Sequence, residues 1–120
     1  MSQALKDRTK KFAIDVWYLC SKIPQTREFN NYVNQLLRCS SSVAANYRAA
    51  MRAKSNADFI YKLKIVEEEA DESQFFLEIL EKISSKQDLR LEIERLIKES
   101  DELIAIVVAS LKTARSKIKD

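Results

Sequence analysis

Two groups of polar side chains in the sequence have residue types and spacing that could do chemistry. Arg38, Ser42 and Asn46 are four residues apart, so on a helix they share one face and bring together a guanidinium, a hydroxyl and an amide. Such a face could form a ligand-binding or active site. The acidic stretch 67–72 offers carboxylates, which are the ligands that a hard cation such as Mg²⁺ prefers.

Composition argues against catalysis at either group. The chain has no histidine, which excludes serine–histidine triads and a histidine general base. It has no glycine, which excludes glycine-rich phosphate-binding loops. We therefore predict no enzyme and no cofactor. The acidic stretch is predicted to be a solvated face that pairs in part with arginine, with a Mg²⁺ site as the alternative. The predicted interhelical polar network consists of Arg38, Ser42, Asn46, Glu68 and Glu72.

The segment "RCSSSVAANYRAA", residues 38–50, indicates a close contact between helices. Its serines and alanines are small enough to let two helix backbones approach, and serine hydroxyls in a helix can donate to the carbonyl one turn back. A buried amide such as that of Asn46 needs partners, and a polar residue in a seam fixes the register of the helices.

Length and composition predict one domain, residues 1–120, of the all-α class. Glycine is absent and proline occurs once, whereas sheet proteins need glycine in their tight turns. Cys20 and Cys39 lie in apolar surroundings, which predicts buried thiols in a reducing cytoplasm. No signal peptide is recognised, and the longest apolar run, 103–109, is too short to cross a membrane.

Apolar periodicity predicts four helices, at about residues 3–22, 27–53, 56–84 and 86–117. Pro24 ends the first helix, and Thr26 is expected to cap the second. Ser55 with Asp58, and Ser85 with Asp88, have the spacing of capping boxes. The break near residue 54 contains neither glycine nor proline, so one continuous rod of helices two and three remains an alternative.

Each helix carries a seam at alternating spacings of three and four, as in coiled coils. The seam of the fourth helix, for example, comprises Leu89, Ile93, Leu96, Ser100, Leu103, Val107, Leu111, Ala114 and Ile118. Long helices joined by short links must run antiparallel, so we predict an up-down-up-down four-helix bundle. Surplus apolar residues beside the seams predict a homo-oligomer, with a broad core stripe as the alternative; they include Ile14, Trp17, Tyr18, Ile65, Phe75, Phe76, Ile79, Ile97, Ile104 and Val108.

The ordered combination of "QLLRCSSSVAANYRAA" and "ADFIYKLKIVEEEADESQFFLEIL" resembles the bacterial proteins related to those encoded in intervening sequences of 23S ribosomal RNA genes. The matching residues are Gln35, Leu36, Arg38, Ser42, Val43, Ala45, Asn46, Phe59, Lys62, Leu63, Glu68, Ala70, Glu72 and Leu77. The resemblance implies an antiparallel four-helix bundle that assembles as a homopentamer, with no known enzymatic activity. A related accessory protein of diversity-generating retroelements is a basic pentamer that binds nucleic acid and a reverse transcriptase.

Charge is unevenly placed although the formal net charge is only +3. In an up-down-up-down bundle, residues 1–11, 48–64 and 110–120 gather at one end, where basic residues strongly outnumber acidic ones. We predict that this end binds the RNA or DNA backbone without base specificity. The candidate residues are Arg8, Lys10, Lys11, Arg48, Arg52, Lys54, Lys62, Lys112, Arg115 and Lys117. The alternatives are solvated helix ends and a site for a specific protein partner.

Overall fold

The computed structural model describes residues 2–119, with side chains described for residues 3–117. It contains four helices: α1 (Ser2–Ser21), α2 (Arg27–Ala50), α3 (Asn56–Ile83) and α4 (Gln87–Lys119). The four predicted helices are confirmed, with ends that differ by no more than three residues. Helices α2 and α3 are separate, so the alternative of a single rod is wrong.

Two of the three predicted caps are present. The Thr26 hydroxyl accepts a hydrogen bond from the Phe29 N–H at 3.2 Å, and the Ser55 hydroxyl accepts one from the Asp58 N–H at 3.1 Å. The Ser85 prediction is wrong. Helix α4 begins at Gln87, and its first turn closes from the Arg90 N–H to the Lys86 carbonyl. Ser85 therefore lies one residue too early to cap the helix.

Consecutive helices run antiparallel and form an elongated bundle of 52 × 21 × 20 Å. Helix α3 packs against α2 and α4, and α1 packs against α2 and, less extensively, α4. Helices α1 and α3 are therefore diagonal to each other, as are α2 and α4. This is the predicted up-down-up-down arrangement.

The four seams meet in one core. Ser40, Ser73 and Ser100 occupy seam positions and are buried, and each donates its hydroxyl proton to a carbonyl one turn back in its own helix. Ile118 lies outside the described side chains. The largest fully buried side chains are Phe12, Leu19, Leu36, Leu63, Leu77, Leu80, Ile93, Leu96, Leu103 and Leu111.

Helix α1 is too short to follow α4 along its whole length. Ion pairs join α1 to α4 at Asp15–Arg95 and Arg8–Glu99, and Lys22, directly after α1, pairs with Glu92. Counted from these pairs, α4 runs on as far as Lys119, whereas α1 reaches back only to Ser2. At this end of the bundle α4 therefore extends about 15 Å beyond α1. We call the part that contains all four helices the four-helix part. The remainder, where α2, the turn 51–55, α3 and α4 meet without α1, is the three-helix end.

Two groups of large apolar side chains are exposed on opposite sides of the four-helix part. Ile14, Trp17 and Tyr18 on α1 form one patch, in which the Trp17 and Tyr18 rings are 5.1 Å apart. Phe75 and Ile83, with the half-buried Ile79 between them, form the other patch on α3. Phe76, Ile97 and Ile104 pack against the core instead. Some of the apolar residues beside the seams are therefore exposed, and others belong to the core.

None of the described helices combines the length and the apolar character that crossing a bilayer requires.

Candidate functional site

Arg38 joins α2 to α3. Its guanidinium donates to the Glu69 carboxylate at 3.3 Å and to the Glu72 carboxylate at 2.5 Å, and it also contacts the Gln35 amide oxygen. Glu72 was predicted as a partner of Arg38 and Glu69 was not. Glu68 points to solvent, because it lies about 200° around the helix from buried Ala70. The prediction of Glu68 in this contact is therefore wrong.

Asn46 and Ser42 interact within α2 rather than across the bundle. The Asn46 amide donates to the Ser42 carbonyl at 2.9 Å and to the Ser42 hydroxyl at 2.8 Å. Because these donors are satisfied locally, the five predicted network residues do not form one network. They form an interhelical ion pair at Arg38 and a separate contact inside α2.

Other polar contacts that cross between helices were not predicted. The Ser73 hydroxyl lies 3.2 Å from the Cys39 sulfur, and the Gln74 amide donates to the Ser100 hydroxyl at 2.9 Å and to Asp101 at 2.6 Å. Burial raises the pKa of the Cys39 thiol and raises that of Cys20 to about 12, so neither thiol ionises near neutral pH. These cysteines behave as small core residues.

The acidic stretch is divided among several roles. Glu69 and Glu72 pair with Arg38, Glu67 pairs with Lys64, and Glu68 is exposed. No group of three or more potential metal ligands converges anywhere in the described part of the chain. The carboxylates thus lie on different sides of the helix.

The predicted basic residues of α1 do not reach the three-helix end. Arg8 donates to Glu99 and Glu102 at 2.7–2.8 Å, and Lys11 pairs with Asp15. The hydrogen bonds to Glu99 and then Glu102 raise the pKa of Arg8. Lys10 is exposed on the same helix. The expectation that all three basic stretches gather at one end is therefore wrong for α1, because α1 begins too far from that end.

The three-helix end does collect cations from α2, the turn and α4. Lys62 is neutralised there by Asp58 at 2.9 Å. Six other cationic side chains at this end have no carboxylate partner within 4 Å among residues 3–117. We call this set the basic end: Arg48, Arg52, Lys54, Lys112, Arg115 and Lys117. Their side chains are exposed. Arg48 and Arg52 share a shallow depression of about 340 Å³ with Lys62.

Side-chain contacts at the start of α3 hold the turn 51–55 and the end of α4 in place. The Asn56 amide donates to the Ala114 carbonyl of α4 at 2.9 Å, which joins the two helices where α1 is absent. The Asp58 carboxylate accepts from Lys62 and from the Lys54 N–H, which holds the turn. The Asn56 contact was not predicted, because it crosses from α3 to α4 and the sequence pattern within one helix does not show it.

Comparison with known proteins places these features in a family context. Residues 3–109 match the family model described as 23S rRNA-intervening sequence protein. A crystal structure of a protein of unknown function from the S23 ribosomal protein family of Bacteroides thetaiotaomicron is similar to the chain. It shares 29% sequence identity, with 92% of this chain and 97% of that chain covered and a TM-score of 0.79. No curated protein sequence matches the chain.

Proposed function

The chain belongs to the 23S rRNA-intervening sequence protein family, and from this premise we propose that it is a non-enzymatic, homo-oligomeric scaffold whose basic end binds nucleic-acid backbone. The proposal rests chiefly on the six exposed cations of the basic end, which have no carboxylate partners among residues 3–117. It places the protein in the cytoplasm, where two free thiols stay reduced.

The positions of the two apolar patches support a cyclic oligomer. Asp15 of α1 contacts Arg95 of α4, and Gln74 of α3 contacts Asp101 of α4. Because α3 and α4 are antiparallel, these contacts set Trp17 and Ile79 at about the same height in the bundle. The patches also face opposite ways, since α1 and α3 are diagonal. A contact between unlike patches on successive copies is head to tail, and it forms a ring where the rotation from copy to copy closes, which is the form we propose.

A homopentamer is the ring size that the family resemblance implies, and light scattering tests it. We expect the purified protein to have about five times the chain mass of 13.9 kDa. Trp17→Asp and Phe75→Asp should each shift the protein toward monomer, because each buries a charge in the same contact. Leu91→Asp is the matched control, since Leu91 is equally exposed but lies on α4. A monomeric wild type, or an equal effect of Leu91→Asp, would contradict the ring.

A ring would also place the basic ends of all copies on one side. Their positive potentials would add there, and phosphate contacts by lysine and arginine give binding without base specificity. Helix α4 contains no acidic residue from Leu103 to Lys119, so no charge on this segment opposes binding.

Titration of labelled single- and double-stranded RNA and DNA at several salt concentrations tests nucleic-acid binding. We expect binding that weakens as salt rises, with a log–log slope of about −0.7 to −0.9 per neutralised phosphate. Binding that does not respond to salt, or no binding at low salt, would contradict this part of the proposal. The second candidate function is that of an adaptor that binds a protein partner and no nucleic acid. A groove of about 490 Å³ beside the basic end, lined by apolar residues such as Met51, Phe59 and Ile106, favours it.

A further inference from the structure

A groove lies between α2 and α4 at the three-helix end. Its volume is about 490 Å³, and α1 contributes no residue to it among the described ones. We call it the α2–α4 groove. The residues that matter for its chemistry are Tyr47 and Met51 of α2, Phe59 of α3, and Ile106, Thr113 and Lys117 of α4.

The shape of the groove fits a helix. The α4 residues that pair with α1 and the adjoining Lys22 are Glu92, Arg95, Glu99 and Glu102. Continuing their alternating spacing of three and four leads to Ile106, Ala109 and Thr113, and Lys117 follows one turn later; all four line the groove. The groove thus continues the strip of the α4 surface that contacts α1, and we call this strip the α1 track of α4. From Ile106 to Lys117 it is about 16 Å long, which accommodates about eleven helical residues.

The chemistry of the groove selects an apolar helix face with acidic edges. In the four-helix part this track of α4 carries carboxylates that bind Arg8. Beyond Glu102 it becomes apolar and ends at Lys117, and no acidic side chain is among the described lining residues. On the α2 side, Arg48 lies beside the groove rather than in it, in the depression that it shares with Arg52 and Lys62. The described lining therefore carries the positive charge of Lys117 and no negative charge, and a second exposed cation lies next to it.

We propose that the α2–α4 groove binds an acidic amphipathic helix of a protein partner, about eleven residues long, in the position that α1 occupies in the four-helix part. Its apolar face covers Met51, Phe59 and Ile106, and its acidic side chains pair with Lys117 of the lining and with Arg48 beside the groove. A helix already packed in a second copy of this chain exposes only one side and cannot enter the track to this depth. Nucleic-acid backbone would leave the apolar floor uncovered. The inference does not depend on nucleic-acid binding.

Fluorescence anisotropy with synthetic peptides and the full-length protein tests this proposal. The probe is a labelled twelve-residue helical peptide with leucine at spacings of three and four and glutamate beside the leucines. A second peptide replaces each glutamate by lysine. We expect the acidic peptide to bind at least about tenfold more tightly than the basic one, with an affinity that falls as salt rises. Equal binding of the two peptides, or no binding of the acidic peptide, would overturn the proposal.

Two alanines of α4 supply matched variants that locate the site. Ala109→Trp fills the groove without adding charge, whereas Ala105→Trp adds the same side chain at an exposed position outside it. We expect Ala109→Trp to weaken peptide binding at least about tenfold and Ala105→Trp to leave it unchanged. Equal effects of the two would place the peptide elsewhere and overturn the proposal.

The same variants separate this proposal from the others. Ala109→Trp should not change the salt-dependent binding of nucleic acid, because it removes no cation, and should not change the oligomer mass. If it dissociates the oligomer, a second copy occupies the groove and the proposal is wrong. If nucleic acid fails to bind the wild type while the acidic peptide binds, only the nucleic-acid proposal fails.

Discussion

The four-helix part and the three-helix end differ in how completely their side chains are satisfied. In the four-helix part, large residues such as Phe12 and Leu96 are almost fully buried, and ion pairs tie α1 to α4 and α2 to α3. At the three-helix end, Phe59 is only partly covered and the six cations of the basic end have no carboxylate partners among residues 3–117. The first region joins all four helices through ion pairs and carries the two apolar patches, whereas the second keeps unpaired positive charge and a groove open to other molecules.

Core truncation should show the largest difference between the two regions. Phe12→Ala removes a side chain that is 1% exposed, and we expect the free energy of unfolding to fall by about 3–5 kcal/mol. Phe59→Ala should cost less than half of this, because the ring already contacts solvent in the groove. Urea denaturation at one protein concentration measures both. Equal losses would show that the three-helix end is packed as completely as the four-helix part.

Arginines in the two regions should differ in what their removal affects. Arg8→Gln breaks hydrogen-bonded ion pairs to Glu99 and Glu102, so we expect a loss of about 1 kcal/mol in stability and little change in nucleic-acid affinity. Arg52→Gln should leave stability unchanged and weaken nucleic-acid binding. Thermal unfolding and the salt titration measure the two effects. The reverse pattern would contradict the division of roles.

Ser55 and Ser85, which precede helices at opposite ends of the bundle, should differ in stability by about as much as the two arginines do. Ser55 caps α3 at the three-helix end, so Ser55→Ala should lower the free energy of unfolding by about 1 kcal/mol. Ser85 precedes α4 at the other end without capping it, so Ser85→Ala should have an effect near zero. Denaturant titration of both variants would show equal losses if Ser85 formed the cap that its spacing predicted.

Asp58 should give the smallest effect, as a dependence of stability on pH. The hydrogen bond from Lys62, followed by that from the Lys54 N–H, lowers the pKa of Asp58 below its ordinary value of 3.8. As the pH falls, Asp58 is therefore protonated in the unfolded chain before it is protonated in the folded protein. Stability from Asp58 is fully present above the unfolded pKa and is lost as pH falls through the folded pKa. Asp58→Asn should flatten the stability profile below about pH 4; an unchanged profile would show that the carboxylate contributes nothing.

Periodicity predicted the helices and seams correctly because burial dominates such a fold, and seam positions such as Ser40, Ser73 and Ser100 follow directly from spacing. The site was predicted less well. Side-chain partners across helices depend on the relative height of the helices, which spacing within one helix does not contain. For that reason Arg8 was assigned to the basic end when it pairs with Glu99, and Glu68 was chosen where Glu69 makes the contact. The groove was missed because it arises from the different reach of α1 and α4.

The most direct test of the central claim compares two charge-matched triple variants in nucleic-acid binding at several salt concentrations. One replaces Arg48, Arg52 and Lys54 of the basic end by glutamine, and the other replaces Lys82, Lys86 and Lys98 of the four-helix part, which are also exposed. We predict that the first variant loses affinity at least about tenfold and has a shallower salt dependence, while the second retains the wild-type slope. Equal losses in the two variants would contradict the assignment of binding to the three-helix end.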